Sequence, residues 1–439
     1  MTFLPAIRYR FMKDIGAPAA MRFAKIGKKR SARPPDPLFA PPLAATRRLK
    51  ELIGRHYFLS RYAPGAMPVA WVTSGAPVEI LRPFGYYTLY PENHSALCGA
   101  QKVGGRLCAH AEEHGYSPDL CSYARIDLGH ALTGNTPVGR LPRPDLLFAS
   151  NNICQTVLYW YKILAARYDI PLILFDTPYR FGDAEDGPDL EYMVGQMEAI
   201  ILQLEGISGR SFDREAFSWT IDLAKETSLL WGRVLATMKT RPAPMTIFDA
   251  FAHMLPIVSL RGLESARGYY RLLLEELEER AERGIGAIRE ERKRLMWDNI
   301  AIWPRMREHA NLFASHGMAF VTATYTNAWA ETTPLLDPGR PLESLAKAYS
   351  CVILNHHLEH RLNLMERLIR EYRVDGLVIH SARSCKPYSV GQYDIKRLLL
   401  ERLSIPSVVI EADIADERAY AEEQTRTRLE AFFEALENA

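Results

Sequence analysis

Short, nearly continuous apolar runs recur along this 439-residue chain, separated by segments whose apolar positions repeat at helical spacing. Residues 68–73 predict a first core strand, 78–84 a short helix and 86–90 a second strand, with a helix over 44–57 ahead of them. Two later regions share one pattern. In the first, a strand over 145–150 leads into a loop with Cys154, a helix to Arg167 and a strand over 170–176. In the second, a strand over 375–380 leads into a loop with Cys385, a helix to Leu403 and a strand over 405–411. Both second strands open on Ile-Pro and are followed by acidic residues. Apolar runs of this length, alternating with amphipathic helices, mark βαβ units and parallel sheet. The expected fold class is α/β, with two Rossmann- or flavodoxin-like parallel-sheet lobes of duplicated design, a helical insert and a helical N-terminal arm.

The same pattern divides the chain. Residues 1–65 form a basic arm and helix, 66–190 the first lobe, 191–315 a helical region and 316–439 the second lobe, which a strand over 317–324 opens and a helix over 417–436 closes. Residues 33–42 are Pro-rich and read as an extended linker. Within the helical region, 271–280 and 289–294 read as charge-laced, solvated helix faces.

A hydrophobic fraction of 48% and a charged fraction of 24% are ordinary globular values, so disorder is not expected for most of the chain. No apolar run approaches the ~18 residues needed to cross a bilayer, and the N-terminus lacks the compact apolar core of a secretory signal. The expectation is a soluble, cytoplasmic protein. The net charge of +2 conceals an asymmetry, because residues 1–50 hold twelve Lys and Arg against Asp14 and Asp36. Such an arm suits an acidic partner, a membrane surface or nucleic acid, and its Arg-rich, acid-poor character is also that of a transit peptide. It lacks the aromatic–basic interleaving of an RNA-binding segment. An arm packed on a partner subunit, or partly disordered, is the simpler expectation.

Six cysteines, at 98, 108, 121, 154, 351 and 385, are too sparse for a disulfide scaffold, and there is no C-x-x-C pair. They are either small buried hydrophobes or a dispersed metal site. Cys385 follows a buried strand at the edge where open α/β sheets bind ligands. Cys98 and Cys121 bracket a second Gly- and His-containing region. Three thiols from two α/β units suggest an iron–sulfur cluster between lobes, although their spacing matches no compact ferredoxin pattern. Zinc is a rival on Cys108, His110, His114 and Cys121, but Ala111 stands where the metalloprotease signature requires Glu. Neither a phosphate loop nor a complete G-x-G-x-x-G is present, which excludes ATP hydrolysis by that device. The His-rich segment 355–360 is either a source of protons, with His356 the candidate donor, or a polar helix start.

The loop around Cys98, the run Pro-Asp-Leu-Cys-Ser-Tyr-Ala-Arg-Ile-Asp-Leu-Gly at 118–129, the stretch 375–388 and the tail 405–413 with Arg426-Thr-Arg-Leu-Glu430 resemble one family. It is the iron–sulfur subunit family of 2-hydroxyacyl-CoA dehydratases and benzoyl-CoA reductases, and the resemblance runs from about Pro68 to the C-terminus. It implies a [4Fe-4S] cluster on three cysteines. Cys121 and Cys385 match the motifs, Cys98 is the expected third ligand, and Cys108 and Cys154 are fallbacks. It further implies an acyl-CoA substrate, a homologous second iron–sulfur subunit, a separate ATPase activator with its own cluster and ferredoxin as electron source, with no membrane or nucleic-acid partner. Chain length, the helical insert and the Leu-Tyr-Pro-Glu92 stretch look closer to the larger, B-type reductase subunit. The expected activity is therefore ATP-dependent, ferredoxin-linked, dearomatising reduction of benzoyl-CoA. Elimination of water from a 2-hydroxyacyl-CoA is the alternative, and a non-catalytic scaffold or cluster-carrying partner subunit the alternative of another class.

Overall fold

In the computed structural model, which describes residues 3–26, 36–134, 136, 137, 139–182 and 187–438, the apolar runs become two four-stranded sheets whose strand pairs are all parallel. The first contains β1 (Val69–Val72), β2 (Tyr87–Leu89), β3 (Leu146–Ser150) and β4 (Leu172–Phe175), in the order β2-β1-β3-β4. The second contains β5 (Lys293–Asp298), β6 (Met318–Ala323), β7 (Gly376–Ala382) and β8 (Ser407–Ala412), in the order β6-β5-β7-β8. Both orders are second, first, third, fourth. β1 and β3 are buried along their whole length, as strands covered by helices on both faces must be.

The duplication reaches single hydrogen bonds. Asp145, just before β3, accepts the Val69 N–H on Oδ2 at 2.8 Å, and its own N–H donates to the Val69 carbonyl at 2.8 Å. Asp375, just before β7, does both with Arg294 at 2.7 Å. Pro171 and Pro406, from the two Ile-Pro pairs, each accept the N–H of a leucine on the neighbouring strand at 3.0 Å, Leu147 and Leu377. Proline is tolerated there because β4 and β8 are edge strands.

One expectation is corrected. Residues 289–294 are not a helix face; their end belongs to β5, an inner strand of the second sheet that lies inside the stretch read as helical. The charge pattern misled because Arg294 is fully buried and satisfied. Its guanidinium donates to the carbonyls of Tyr372 at 2.7 Å and Thr240 at 3.0 Å and pairs with Glu291 at 2.5 Å. Residues 78–84 contain a single 3-10 turn, Val78–Leu81, instead of a longer helix. The insert itself is built on the helices Gly187–Ser208, Arg214–Ala236 and Glu264–Glu282.

The arm is helical over Phe3–Phe11 and Ala17–Ile26, with Ala45–Ser60 beyond the linker. Arg8 lies over the Tyr62 ring and Tyr9 meets the edge of Tyr87. Leu4, Ile7, Phe11 and Ile15 face outward. The basic run Lys28, Lys29, Arg30 and Arg33 lies outside the described residues. Among the described residues no helix is long and apolar enough to cross a membrane.

One buried ion pair joins all three regions. Arg261 of the insert meets Glu79 of the first lobe at 2.7 Å, both fully buried, and the Tyr349 hydroxyl of the second lobe donates to Glu79 at 2.8 Å. Removing one partner strands a charge in the interior. Arg261→Met is therefore expected to lower stability by about 3–5 kcal/mol, read as an earlier midpoint in urea unfolding.

Candidate active site between the sheet edges

Each strand of a parallel sheet aims its carboxyl end at the same edge, so the loops leaving that edge can converge. Here both sheets deliver such loops to one cavity. Ser74 and Gly75 follow β1, Ile153 and Cys154 follow β3, Ile300 follows β5, Tyr325 follows β6, Cys385 follows β7 and Ile414 follows β8, and all line it. The cavity measures about 130 Å³. That is on the order of ten times the space one water needs, too large for a packing defect.

Three thiols meet there: Cys121, Cys154 and Cys385. Each occupies the residue that opens a helix: Ser122–Thr133, Gln155–Tyr168 and Lys386–Ser389. A helix start leaves backbone N–H groups unpaired and carries partial positive charge. Backbone amides of Ala124, Val157 and Tyr388 indeed favour the ionised sulfurs of Cys121, Cys154 and Cys385 in turn. Burial works the other way and dominates. It pushes the Cys154 thiol up to about 12, Cys385 up to about 11 and Cys121 well above its ordinary value. Mutual repulsion adds to this, since Cys385 raises both Cys121 and Cys154. Three soft sulfurs that line one cavity and are supplied with N–H donors form a donor set suited to an iron–sulfur cluster. A cation between them is what would make them thiolates.

The loops are tied together. The Ser122 N–H, beside Cys121, donates to Ser384 Oγ, beside Cys385, at 3.2 Å, and Ser384 Oγ donates to Asp413 at 2.5 Å. Asn152, two residues before Cys154, donates to the carbonyls of Gly75 and Tyr349, each at 3.0 Å. A Cβ on Gly75 would collide with Asn152 Oδ1, so glycine is what lets these two loops close.

Beside the thiols, Glu92 enters from the first turn of the helix Pro91–Ala100. The Ser74 N–H donates to its Oε2 at 2.5 Å. Desolvation outweighs that bond and raises the Glu92 carboxyl to about 7. Glu92 is thus poised to hold or release a proton near neutrality. Tyr325, also on the cavity wall, is raised by burial and by the charges of Glu92 and Cys385, and so keeps its phenolic proton.

Two expected site residues are placed elsewhere. Cys98 is fully buried on the helix Pro91–Ala100, 3.9 Å from His94 Nε2, and does not line the cavity. Its neighbours His94, Asp127 and His130 bring ligand-type atoms within 4.8 Å of one another. The Leu141 N–H donates to His130 Nε2 at 3.2 Å, which puts the ring proton on Nδ1, facing Asp127 at 3.6 Å. Asp127 also accepts the indole N–H of Trp160 at 2.9 Å, so this cluster braces a ring that lines the cavity. His356 lies just past the cavity-lining segment 352–354, bridged to Arg180 and stacked on His360 with ring centres 3.8 Å apart. Cys108 is buried against the Ser122 carbonyl. His110 and His114 have local partners, Glu113 and their own helix backbone.

Glu92 was missed as an acid. Its signal was a Pro-Glu pair opening a helix just beyond the carboxyl end of β2. Cys154 had a stronger signal, since it holds in the first lobe the position that Cys385 holds in the second.

Comparison with known proteins places this geometry in context. Residues 73–436 match the family model "2-hydroxyglutaryl-CoA dehydratase, D-component". The (R)-2-hydroxyisocaproyl-CoA dehydratase alpha subunit of Clostridioides difficile is 35% identical over 84% of this chain and 90% of its own length. The (R)-phenyllactyl-CoA dehydratase alpha subunit of Clostridium sporogenes is 32% identical over 84% and 89%. The B-type subunit of benzoyl-CoA reductase from Thauera aromatica is 31% identical over 88% and 93%.

Proposed function

Because the chain belongs to the 2-hydroxyglutaryl-CoA dehydratase D-component family, we propose that it is the cluster-bearing subunit of an enzyme that removes water from a 2-hydroxyacyl-CoA. The observation that carries this reading is the convergence of Cys121, Cys154 and Cys385 with Glu92 on one cavity. Those three thiolates would hold a [4Fe-4S] cluster, with Cys154 in the place expected of Cys98. The chemistry such a group supplies when bound is one-electron reduction of a thioester and polarisation of a substrate oxygen.

The protein's own residues account for the protons. Elimination takes a hydroxyl from C2 and a hydrogen from C3 and consumes no net electrons. Protonated Glu92 donates to the departing oxygen, which leaves as water, and its carboxylate then takes the C3 proton, restoring the acid. The Ser74 N–H holds that carboxylate in place at 2.5 Å through both halves. Apolar walls limit the access of bulk water, which keeps the Glu92 pKa raised and protects reactive species. Glu92 takes over the role expected of His356, which does not line the cavity. A scaffold reading is disfavoured, because a non-catalytic subunit has no need of an acid tuned to about 7 beside the thiols. The partners this reading requires are a second subunit and an ATP-hydrolysing activator that delivers the electron.

Dearomatising reduction of benzoyl-CoA is the second reading, favoured by the match to the Thauera aromatica protein over 93% of that protein's length. Leu-Tyr-Pro-Glu92 delivers the acid to the cavity and so serves either reaction. Anaerobic incubation of the complex and its activator with benzoyl-CoA and with a 2-hydroxyacyl-CoA separates the two. The expected product is a 2-enoyl-CoA without net consumption of reductant. A cyclic diene from benzoyl-CoA, with two electrons consumed per turnover, would reverse the assignment.

A further inference from the structure

The acyl group that the cavity admits is written in what surrounds it. Glu92 is the one charged side chain among the described residues that line it; no Lys, Arg or His does. The rest of the wall is largely aromatic and aliphatic, with Trp160, Trp329, Tyr388, Val157, Ile353 and Leu354 among its residues.

Two guanidiniums lie against rings that line the cavity, and both are already paired. The Arg261 guanidinium lies behind the ring of Trp329, 4.3 Å from its centre, and is spent on Glu79 at 2.7 Å with no exposed surface. That of Arg361 lies behind the ring of Tyr388, 5.0 Å from its centre, and is spent on Asp298 at 2.6 Å. Each ring presents a π-face to its cation, and it is the rings, not the guanidiniums, that line the cavity. A carboxylate carried in on a substrate would thus leave water without a basic side chain on the wall to pair with.

Resting on the acyl-CoA reading above, we propose that this site takes CoA thioesters whose acyl chain ends in an apolar group, branched aliphatic or aromatic, and rejects chains that end in a carboxylate. Selection is made by a wall that carries no Lys, Arg or His side chain and by aromatic rings that stand between it and the paired guanidiniums of Arg261 and Arg361.

The test is equilibrium binding to the purified anaerobic complex without activator, so that no turnover intervenes. Three probes suffice: 2-hydroxyisocaproyl-CoA, phenyllactyl-CoA and 2-hydroxyglutaryl-CoA, titrated calorimetrically. The first two are expected to bind, and the third to bind on the order of 100-fold more weakly. Ala328→Arg, which puts a cation on a wall residue, is expected to narrow that gap at least tenfold by strengthening the third and weakening the other two. Equal binding of all three by the natural protein would overturn the selectivity while leaving the acyl-CoA reading intact. Binding of none would overturn that reading and the selectivity with it.

Discussion

Purified anaerobically, the Cys154→Ser protein is expected to lose its iron and acid-labile sulfide together with its turnover, whereas Cys98→Ser keeps all three. Serine preserves size but replaces a soft anionic donor with a hard, neutral one. Losing a partner of a metal ligand already costs 10–100-fold in affinity, so losing a ligand costs about a hundredfold or more. Cys121→Ser and Cys385→Ser should behave as Cys154→Ser does, since the three share one cavity. Cys98 is instead a buried core residue beside His94, and removing its sulfur costs packing alone. Low-temperature EPR together with iron and sulfide analysis checks this. A Cys98→Ser protein that loses its cluster while Cys154→Ser retains one would refute the assignment.

Glu92→Gln should abolish turnover without disturbing the cluster. Gln keeps the carbonyl that accepts the Ser74 N–H but has no proton to exchange, so kcat is expected to fall by about 10²–10⁴ with little change in acyl-CoA affinity. The pH behaviour gives an independent reading. The folded protein holds the Glu92 proton up to about pH 7, while the unfolded chain releases it near the ordinary 4.5. Between those values the folded state therefore binds the extra proton, and stability falls as pH rises, by up to roughly 3 kcal/mol across the window. Above pH 7 the loss is complete. Gln removes it, so the variant should be inactive yet relatively more stable at pH 8 than at pH 5 when compared with the natural protein. Parallel urea melts at the two pH values measure this. An unchanged difference between them would show that Glu92 does not titrate as described.

These two predictions bear differently on what could be read from the chain. Cys385 and Cys121 stood out by local context, and the structure places both on the cavity wall. Cys154 stood in the repeat itself, after β3 as Cys385 stands after β7. Position in a repeated unit thus pointed to a thiol on the cavity wall, and the loop around Cys98 did not. Glu92 was marked only by the Pro-Glu pair that opens its helix, because its raised pKa comes from burial, which no local pattern shows. The β5 strand was hidden for a related reason. Arg294 reads as a solvated charge until Tyr372, Thr240 and Glu291, from three other segments, are seen to satisfy it.

Short apolar runs alternating with helical periodicity, and the two Ile-Pro pairs, are local signals, and they were enough to indicate two duplicated parallel-sheet lobes and their carboxyl edges. Which side chains share the space between those edges is a matter of contacts across hundreds of residues. Only the folded chain brings Cys121, Cys154, Cys385 and Glu92 to one cavity and stacks Arg261 and Arg361 on rings that line it. The physical reason is that burial and charge neutralisation belong to an environment, and no residue carries its environment in its own name.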